Sequence, residues 1–243
     1  MQAWGLTDPG MIREQNQDDY AIVKLGRDQL LAIVCDGMGG ARSGNIASKM
    51  AVDTFSDEIR RSIRANMKQD KIDQMMLDAA ELANKAVHEQ SHTSDEFKGM
   101  GTTLVAALFQ KDSVTVLNVG DSRAYLFNND HISQITTDHS LVELMVQRGE
   151  LTRETAKNHP GKNLITRAIG TESAVECDLF HHPFKKGDSI LMCSDGLSNV
   201  MSDQEILFEV VHGVNKDDCC QRLMKIANYR GAPDNVTVVL VSL

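Results

Sequence analysis

The chain is poor in proline and has no long stretch rich in serine or glycine. Only 4 prolines occur in 243 residues, so no segment has the composition of a linker between domains. Hydrophobic residues make up 42% of the chain, which is enough to build a sizeable core. We therefore predict that residues 1–243 form a single domain.

The sequence also lacks an excess of basic charge and a long apolar run. Its formal net charge is −9, whereas general binding to a nucleic-acid backbone needs a basic face, so we expect no nucleic-acid partner. No segment approaches the roughly 20 apolar residues of a membrane span, and the N-terminus has no signal-peptide pattern. We expect a cytoplasmic protein that does not insert into a membrane.

The sequence also lacks a cysteine pattern typical of disulfides or of a zinc site. The chain has 5 cysteines, an odd number, with no CxxC spacing and with Cys219 next to Cys220. This pattern fits neither a disulfide framework nor a zinc ribbon. It favours a reducing compartment.

Apolar patterns predict a mixture of strands and helices. The predicted strands are 30–35, 102–108, 113–119, 123–127, 131–135, 190–193 and 236–241, with a hairpin turn at 128–130. The predicted helices run from about 46 to 63 and from 72 to 87, and cover 141–146, 152–156, 203–211 and 216–228. Because the strands connect closely and the helices are segregated from them, we expect α+β layers with antiparallel pairing.

Aspartates recur beside turn-forming residues at the ends of apolar strands. Asp36 and Asp195 precede glycines, Asp121 follows one, and Asp234 leads into the last strand. Carboxylates brought to one sheet edge suit hard cations such as Mg²⁺ or Mn²⁺. A single Asp-Gly pair is more typical of an ordinary turn. Four such aspartates, together with Asp18, would repel one another without a cation, which favours a metal site.

Six short segments occur in a specific order along the chain. They are 13–18 (REQNQD), 36–40 (DGMGG), 100–103 (MGTT), 120–123 (GDSR), 194–196 (SDG) and 234–235 (DN). Each is weak alone, but the ordered set resembles the PPM family, the type 2C metal-dependent protein phosphatases, over essentially the whole chain. Residues 138–142 (DHSLV) are similar to the bacterial branch, whose members commonly oppose membrane-anchored serine/threonine kinases.

The resemblance implies a four-layer α+β sandwich of two antiparallel sheets packed face to face and flanked by helices, with two tightly bound Mn²⁺ or Mg²⁺ ions at one edge. Asp36 would bridge the two ions. The Gly37 carbonyl would bind one of them, and Asp195 and Asp234 would bind the other. Asp18 would hold waters bound to the ions from behind.

Two further roles follow from the same resemblance. Asp121, with Asp195, matches the position that holds a third, weaker ion in bacterial relatives, and Arg13 would grip the phosphate. The implied activity is hydrolysis of phosphoserine and phosphothreonine in phosphoproteins, opposing a cognate serine/threonine kinase.

Two histidines of the family are absent. Met38 stands where many eukaryotic members carry a proposed general acid, and Ala41 stands where many bacterial members carry a histidine. Three alternatives therefore stay open. Solvent protonates the leaving group, another residue does so, or the reaction is slower. His139 and His159 are the nearest histidines in motif order, and both are more typical of structural residues.

Other functions are less well supported. Residues 88–92 (HEQSH) match the HExxH pattern of zinc metallopeptidases, but the two histidines follow the polar face of the predicted helix and have no evident third ligand. Ser122 lacks the surroundings of a hydrolase nucleophile. A binding-only relative that has lost its metal ligands is disfavoured because every ligand position is intact.

Residues 136–170 correspond to the flap of the family. The segment is polar and contains Gly149, Pro160 and Gly161, so we expect it to be mobile and to shape substrate access. Because no heptad or long apolar surface stripe occurs, a monomer is the default expectation.

Overall fold

The computed structural model describes residues 1–39, 43–128, 130–213 and 215–243. The strands are β1 (Gln2–Asp8), β2 (Asp18–Lys24), β3 (Leu30–Met38), β4 (Gly101–Thr102), β5 (Leu104–Phe109), β6 (Ser113–Val119), β7 (Arg123–Asn128), β8 (His131–Gln134), β9 (Asp178–Pro183), β10 (Ser189–Cys193) and β11 (Val236–Ser242). The helices are α1 (Gly44–Ser62), α2 (Gln69–Ser91), α3 (Leu141–Gln147), α4 (Arg153–Ala156), α5 (Asp195–Ser198), α6 (Asp203–Leu207) and α7 (Cys219–Tyr229).

The strands form two antiparallel sheets. The first has the order β1-β11-β10-β7-β8, and the second has the order β2-β3-β5-β6-β9, with β4 pairing to the end of β3. Neighbouring strands of the second sheet are joined by short turns between β2 and β3 and between β5 and β6. Such connections permit antiparallel pairing without crossovers.

The alternation of side chains along the strands produces three apolar interfaces. Leu31 of β3 packs in one buried cluster with Phe55 of α1 and Met76 of α2. The next residue, Ala32, lies in a different cluster with Met192 of β10, between the two sheets. Because successive side chains of a strand point to opposite faces, β3 contributes to both interfaces.

The outer face of the first sheet is covered by the C-terminal helices. Tyr125 of β7 and Leu191 of β10 lie in a third cluster with Leu197 of α5 and Leu223 of α7. The layers are thus α1 and α2, the second sheet, the first sheet, and then α5 and α7. The expected α+β sandwich of two face-to-face antiparallel sheets flanked by helices is confirmed.

The structure changes several predicted boundaries. The strand expected at 102–108 is divided into β4 and β5, because strand pairing is interrupted at Thr103. The helix expected at 203–211 is α6 followed by a π-helical turn at Phe208–His212, and the helix expected to start at 216 begins at Cys219. Of the turn expected at 128–130, Asn129 lies outside the described residues.

Three strands were not predicted from the sequence. They are β1, β2 and β9, and each forms an edge of its sheet. Most of their side chains are only partly buried, so their sequences lack the continuous apolar run that marks a central strand.

The antiparallel arrangement brings several strand ends to one edge of the sandwich. Asp18 begins β2 and pairs in register with Asp36 near the end of β3. Asp121 follows β6, Asp195 follows β10, and Asp234 precedes β11. Within the described ranges, no helix is both long enough and apolar enough to cross a membrane.

Candidate active site

The predicted site residues meet at this edge of the sandwich. A cavity of about 240 Å³ is lined by Arg13, Asp36, Gly37, Asp121, Asp195 and Asp234. Asp18 lies behind this lining and is 7% exposed. The structure therefore brings together all seven residues that the sequence had placed in the site.

Asp36 is fixed by hydrogen bonds to the residues across the sheet. Its N–H donates to Thr103 Oγ1 over 2.9 Å, and its carbonyl accepts from the N–H of Thr103 and the hydroxyl of Thr102. The next residue must be glycine, since a Cβ on Gly37 would lie 2.1 Å from the carbonyl oxygen of Gly44. The backbone that follows Asp36 is thus held close to the start of α1.

Asp18 is held from behind the cavity by two hydroxyls. Its Oδ2 accepts hydrogen bonds from Ser194 Oγ and Thr237 Oγ1, both over 2.7 Å. Its Oδ1 is buried and has no hydrogen-bond partner among the described residues. Because a buried carboxylate oxygen without a partner is costly, this atom is a natural acceptor for a water molecule at the site.

Asp195 is positioned by the tight junction between β10 and β11. A Cβ on Gly196 would lie 2.0 Å from the carbonyl oxygen of Asn235, so the glycine permits this approach. Asn199 Nδ2 donates to Asp195 Oδ2 over 2.9 Å, and the carboxylate of Asp195 lies close enough to that of Asp36 for the two charges to interact. The two carboxylates are therefore direct neighbours.

Asp234 and Arg13 form an ion pair at the mouth of the cavity. Arg13 Nη2 donates to Asp234 Oδ2 over 2.8 Å. The loop that carries Arg13 is held by Asn235, whose side chain accepts from the N–H of Gln17 and donates to the carbonyls of Pro9 and Gln15. The sequence marked Asn235 only as a motif residue, and its structural role is to hold this loop.

The carboxylates of the cluster raise one another's pKa values. Burial, followed by the negative charges of Asp18 and Asp195, raises the pKa of Asp36 well above its ordinary value. Burial raises the pKa of Asp121 to about 7, with a further contribution from Asp195. It also raises the pKa of Asp18 to about 7, although hydrogen bonds from Thr237 and Ser194 oppose the shift. The ionised cluster is thus unfavourable unless positive charge enters it.

The donor set fits a hard divalent cation. Every candidate ligand is a carboxylate or carbonyl oxygen, which is the ligand type that Mg²⁺ and Mn²⁺ prefer. Across the ranges that the structure describes, no three His, Cys, Asp or Glu side chains already form a complete ligand set. Since Arg13 is bonded to Asp234, these side chains must adjust when an ion enters.

The cavity has other lining residues that were not predicted as ligands or catalytic residues. Asn163 and Ile165 come from the flap, and Met38 and Thr103 flank Asp36. Asn163 and Ile165 belong to no motif by which they could have been found. Ala41, the second position of a missing family histidine, lies outside the described residues.

The base of the flap is held firmly to the sheets. Arg123 binds the Asp138 carboxylate with a shortest contact of 2.7 Å. The N–H of Gly120 donates to Nδ1 of the buried His139, whose Nε2 lies 3.1 Å from Asp178 Oδ2. The structural role expected for His139 is consistent with these contacts. The expected mobility of the flap therefore concerns its outer part, from 141 to 164.

A second cavity extends from the first between the flap and the C-terminal helices. It has a volume of about 730 Å³ and shares Asp121, Asn163 and Asp195 with the first cavity. Flap residues including Arg153 and Lys157 form one wall, and residues 198–204 form the other. Its size is typical of a ligand-binding cleft.

The HExxH motif forms no comparable site. His88 and His92 lie at the end of α2 with ring centroids 4.5 Å apart, and His92 Nδ1 is 2.8 Å from the carbonyl oxygen of His88. No third His, Cys, Asp or Glu completes a metal-ligand set with them in the described part of the chain. Neither cavity is lined by these residues.

Comparison with known proteins gives a consistent result. The family profile described as Protein phosphatase 2C matches residues 13–226. "Serine/threonine phosphatase stp" of Listeria welshimeri is 39% identical over 241 residues, which cover 99% of this chain and 95% of the relative. "Protein phosphatase PhpP" of Streptococcus pneumoniae is 35% identical, covering 98% and 96%.

Solved structures show the same likeness. The serine/threonine phosphatase of S. agalactiae has a TM-score of 0.93 and 38% identity, covering 100% of this chain and 99% of that one. Serine/threonine phosphatase Stp1 from Staphylococcus aureus has a TM-score of 0.93 and 36% identity, covering 100% and 94%. With its sheets, its carboxylate edge and its full-length relatives in agreement, the chain belongs to the protein phosphatase 2C family of metal-dependent phosphatases.

Proposed function

We propose that the chain hydrolyses phosphoserine and phosphothreonine in proteins, at a site where its aspartates hold two Mn²⁺ or Mg²⁺ ions. The observation that carries this proposal is the edge cluster of aspartates beside Arg13. Burial and mutual repulsion raise pKa values in the cluster, and its ligands are all oxygen atoms. Pairs of divalent ions lower the pKa of water and offset the charge of phosphoryl oxygens.

Each residue has a distinct part in this arrangement. Asp36 would bridge the two ions, the Gly37 carbonyl would bind one, and Asp195 and Asp234 would bind the other. The Oδ1 atom of Asp18 would orient water, since its Oδ2 is already held by two hydroxyls. Asp121, with Asp195, would hold a third and weaker ion. We infer that solvent protonates the leaving group, because no histidine occurs among the described residues that line the cavity.

Arg13 would leave the carboxylate of Asp234 and bind the substrate phosphate instead. Its side chain is 53% exposed and bonded to Asp234, so it can turn towards a phosphoryl group once Asp234 binds an ion. A guanidinium fork matches the geometry of phosphate oxygens.

Arg13→Ala is expected to lower kcat/KM on a phosphothreonine peptide by about 10- to 100-fold, because one charge-assisted contact to phosphate is lost. Mn²⁺ affinity should be unchanged or higher, since Asp234 loses a competing partner. Steady-state kinetics and Mn²⁺ calorimetry measure the two quantities. Arg27→Ala, an exposed arginine in the turn between β2 and β3, is the matched control and should behave as wild type. Lost Mn²⁺ binding in Arg13→Ala would contradict this role.

The second cavity is suited to the polypeptide part of the substrate. It begins at the cluster and runs beneath the outer flap, so a peptide continuing from the phosphorylated residue can enter it. A small aryl phosphate has no such continuation.

Deletion of residues 151–158 should therefore change the preference among phosphopeptides more than the activity on a small aryl phosphate. The deletion removes α4 and part of the flap wall of the second cavity, while the base of the flap keeps its bonds to Arg123 and Gly120. The kcat/KM values on both substrate types measure the effect, with Lys157→Ala as a milder variant. Equal losses on both substrates would reject a role in peptide selection.

We further propose that residues 1–243 act as one catalytic domain with its flap at 136–170. The protein would work as a monomer in the cytoplasm and oppose a cognate serine/threonine kinase. The relatives named above are bacterial phosphatases that this chain covers over 95% and 96% of their length, which supports a single catalytic domain in a bacterial cell.

The proposed function is tested by hydrolysis of an aryl phosphate and a phosphothreonine peptide, with Mn²⁺, with Mg²⁺ and after thorough chelation. We expect activity that chelation removes and Mn²⁺ or Mg²⁺ restores. Undiminished activity after chelation would reject the metal site. Zinc-dependent peptide cleavage that His88→Ala abolishes would instead support the metallopeptidase alternative.

A further inference from the structure

Two buried hydroxyls lie between Asp36 and Asp121 of the candidate site. Thr103 is 3% exposed and Ser122 is 0% exposed, and their side-chain oxygens are 2.7 Å apart. Thr103 lies between β4 and β5, opposite Asp36. Ser122 directly follows Asp121 in the turn between β6 and β7. The hydroxyl pair thus spans from the proposed bridging ligand to the ligand of the proposed third ion.

The Thr103 hydroxyl takes the place of a backbone acceptor in the sheet. It accepts the N–H of Asp36 over 2.9 Å, while the N–H of Thr103 donates to the Asp36 carbonyl over 2.9 Å. With its oxygen accepting from Asp36, the hydroxyl can donate its own proton to Ser122. Among the described residues, the Ser122 hydroxyl makes no other hydrogen bond, so the three groups form one chain.

The same threonine also packs against the Asp121 turn. Gly120 has a φ of +104°, and a Cβ there would lie 2.6 Å from Thr103 Cγ2. The turn therefore requires glycine and lies directly on the threonine methyl group. A shift of the turn must move Thr103, and Thr103 in turn holds Asp36.

We propose that Thr103 and Ser122 form a positioning element that couples the ion pair at Asp36 to the weaker ion at Asp121. This inference rests on the proposed function, because it takes both places to be metal sites. Coupling between two binding sites is reciprocal, so whatever strengthens one site through the hydroxyls strengthens the other. The residues act through Asp36 and Asp121 and are not expected to bind an ion themselves.

Three variants separate the parts of the element. Thr103→Val keeps the shape but leaves the buried Asp36 N–H and the Ser122 hydroxyl without partners. Ser122→Ala leaves the bond between Asp36 and Thr103 in place. Thr103→Ser retains the hydroxyl. Ser189→Ala is the matched control, since Ser189 and Ser242 form another buried hydroxyl pair, 2.8 Å apart, at the opposite end of β10 from Asp195.

The test is Mn²⁺ calorimetry on metal-stripped protein, with urea unfolding in chelator as the measure of fold stability. We expect Thr103→Val to weaken both classes of site by roughly 10- to 100-fold, as is typical for residues that orient metal ligands. Thr103→Ser should recover most of the loss. Ser189→Ala should lower stability without changing either affinity.

Ser122→Ala gives the deciding result. It is expected to weaken the tight sites several-fold although Ser122 lies beside Asp121, and to add nothing further in a Thr103→Val background. Unchanged tight-site affinity in Ser122→Ala, or full additivity with Thr103→Val, would overturn the coupling. If wild-type protein binds no Mn²⁺, the proposed function itself fails, which is a different outcome.

Discussion

Asp36→Asn is expected to lower kcat on a phosphothreonine peptide by roughly a thousandfold or more in the presence of Mn²⁺, or about 4 kcal/mol of transition-state stabilisation. Asp36 lies beside Asp195 and pairs in register with Asp18, which supports its proposed role as the ligand that bridges two ions. An amide cannot supply the negative charge that a bridging ligand shares between two cations. Steady-state kinetics at saturating Mn²⁺ measure the loss.

The same substitution should not damage the metal-free fold. Burial and neighbouring charges raise the pKa of Asp36, which means that the ionised carboxylate is unfavourable where it stands. In chelator, urea unfolding should therefore show Asp36→Asn to be at least as stable as wild type. Asp53→Asn is the matched control, an exposed aspartate on α1, and should retain full activity. An Asp36→Asn variant that keeps a large fraction of its activity would remove Asp36 from the mechanism.

Asp234→Asn is expected to produce a loss of similar size through a different route. Its carboxylate binds Arg13 in this structure and would bind an ion in the working enzyme. Asparagine should weaken Mn²⁺ binding by roughly 100-fold, since a charged ligand is lost. Raising the Mn²⁺ concentration should recover part of kcat, whereas it should recover none of the effect of Arg13→Ala. Calorimetry and kinetics across a range of Mn²⁺ concentrations distinguish the two variants.

A matched aspartate controls for loss of charge near the cavities. Asp203 lines the second cavity at the start of α6 and is not a proposed ligand. Asp203→Asn should bind Mn²⁺ as wild type does. If Asp203→Asn and Asp234→Asn weaken Mn²⁺ equally, the effect of Asp234 is a general electrostatic one and not ligation.

The sequence was most informative where strands are buried on both faces. β3, β10 and β11 consist largely of fully buried residues, and their continuous apolar runs were recognised. The edge strands β1, β2 and β9 carry partly exposed side chains of mixed character, and no period separates them from loops. These segments become strands because they pair with a neighbouring strand, and not because of a local sequence pattern.

The candidate site could be predicted to the extent that its residues lie in turn motifs. Asp36, Asp195 and Asp234 stand beside small or turn-forming residues, and the family order assigned them roles. The contacts that position them come from distant segments, as with Thr237 on Asp18 and Thr103 on Asp36. Such contacts depend on how the strands pair and how the two sheets pack, so they leave no local pattern in the sequence.

We propose above that the edge aspartates hold the ions that perform the chemistry. Anomalous X-ray scattering at the manganese edge, on crystals of the protein grown with Mn²⁺, locates these ions. We expect two strong peaks on either side of the Asp36 carboxylate, one of them also within ligand distance of Asp195 and Asp234, and a weaker peak beside Asp121. Absence of peaks at this edge, or a peak at His88 and His92 alone, would contradict it.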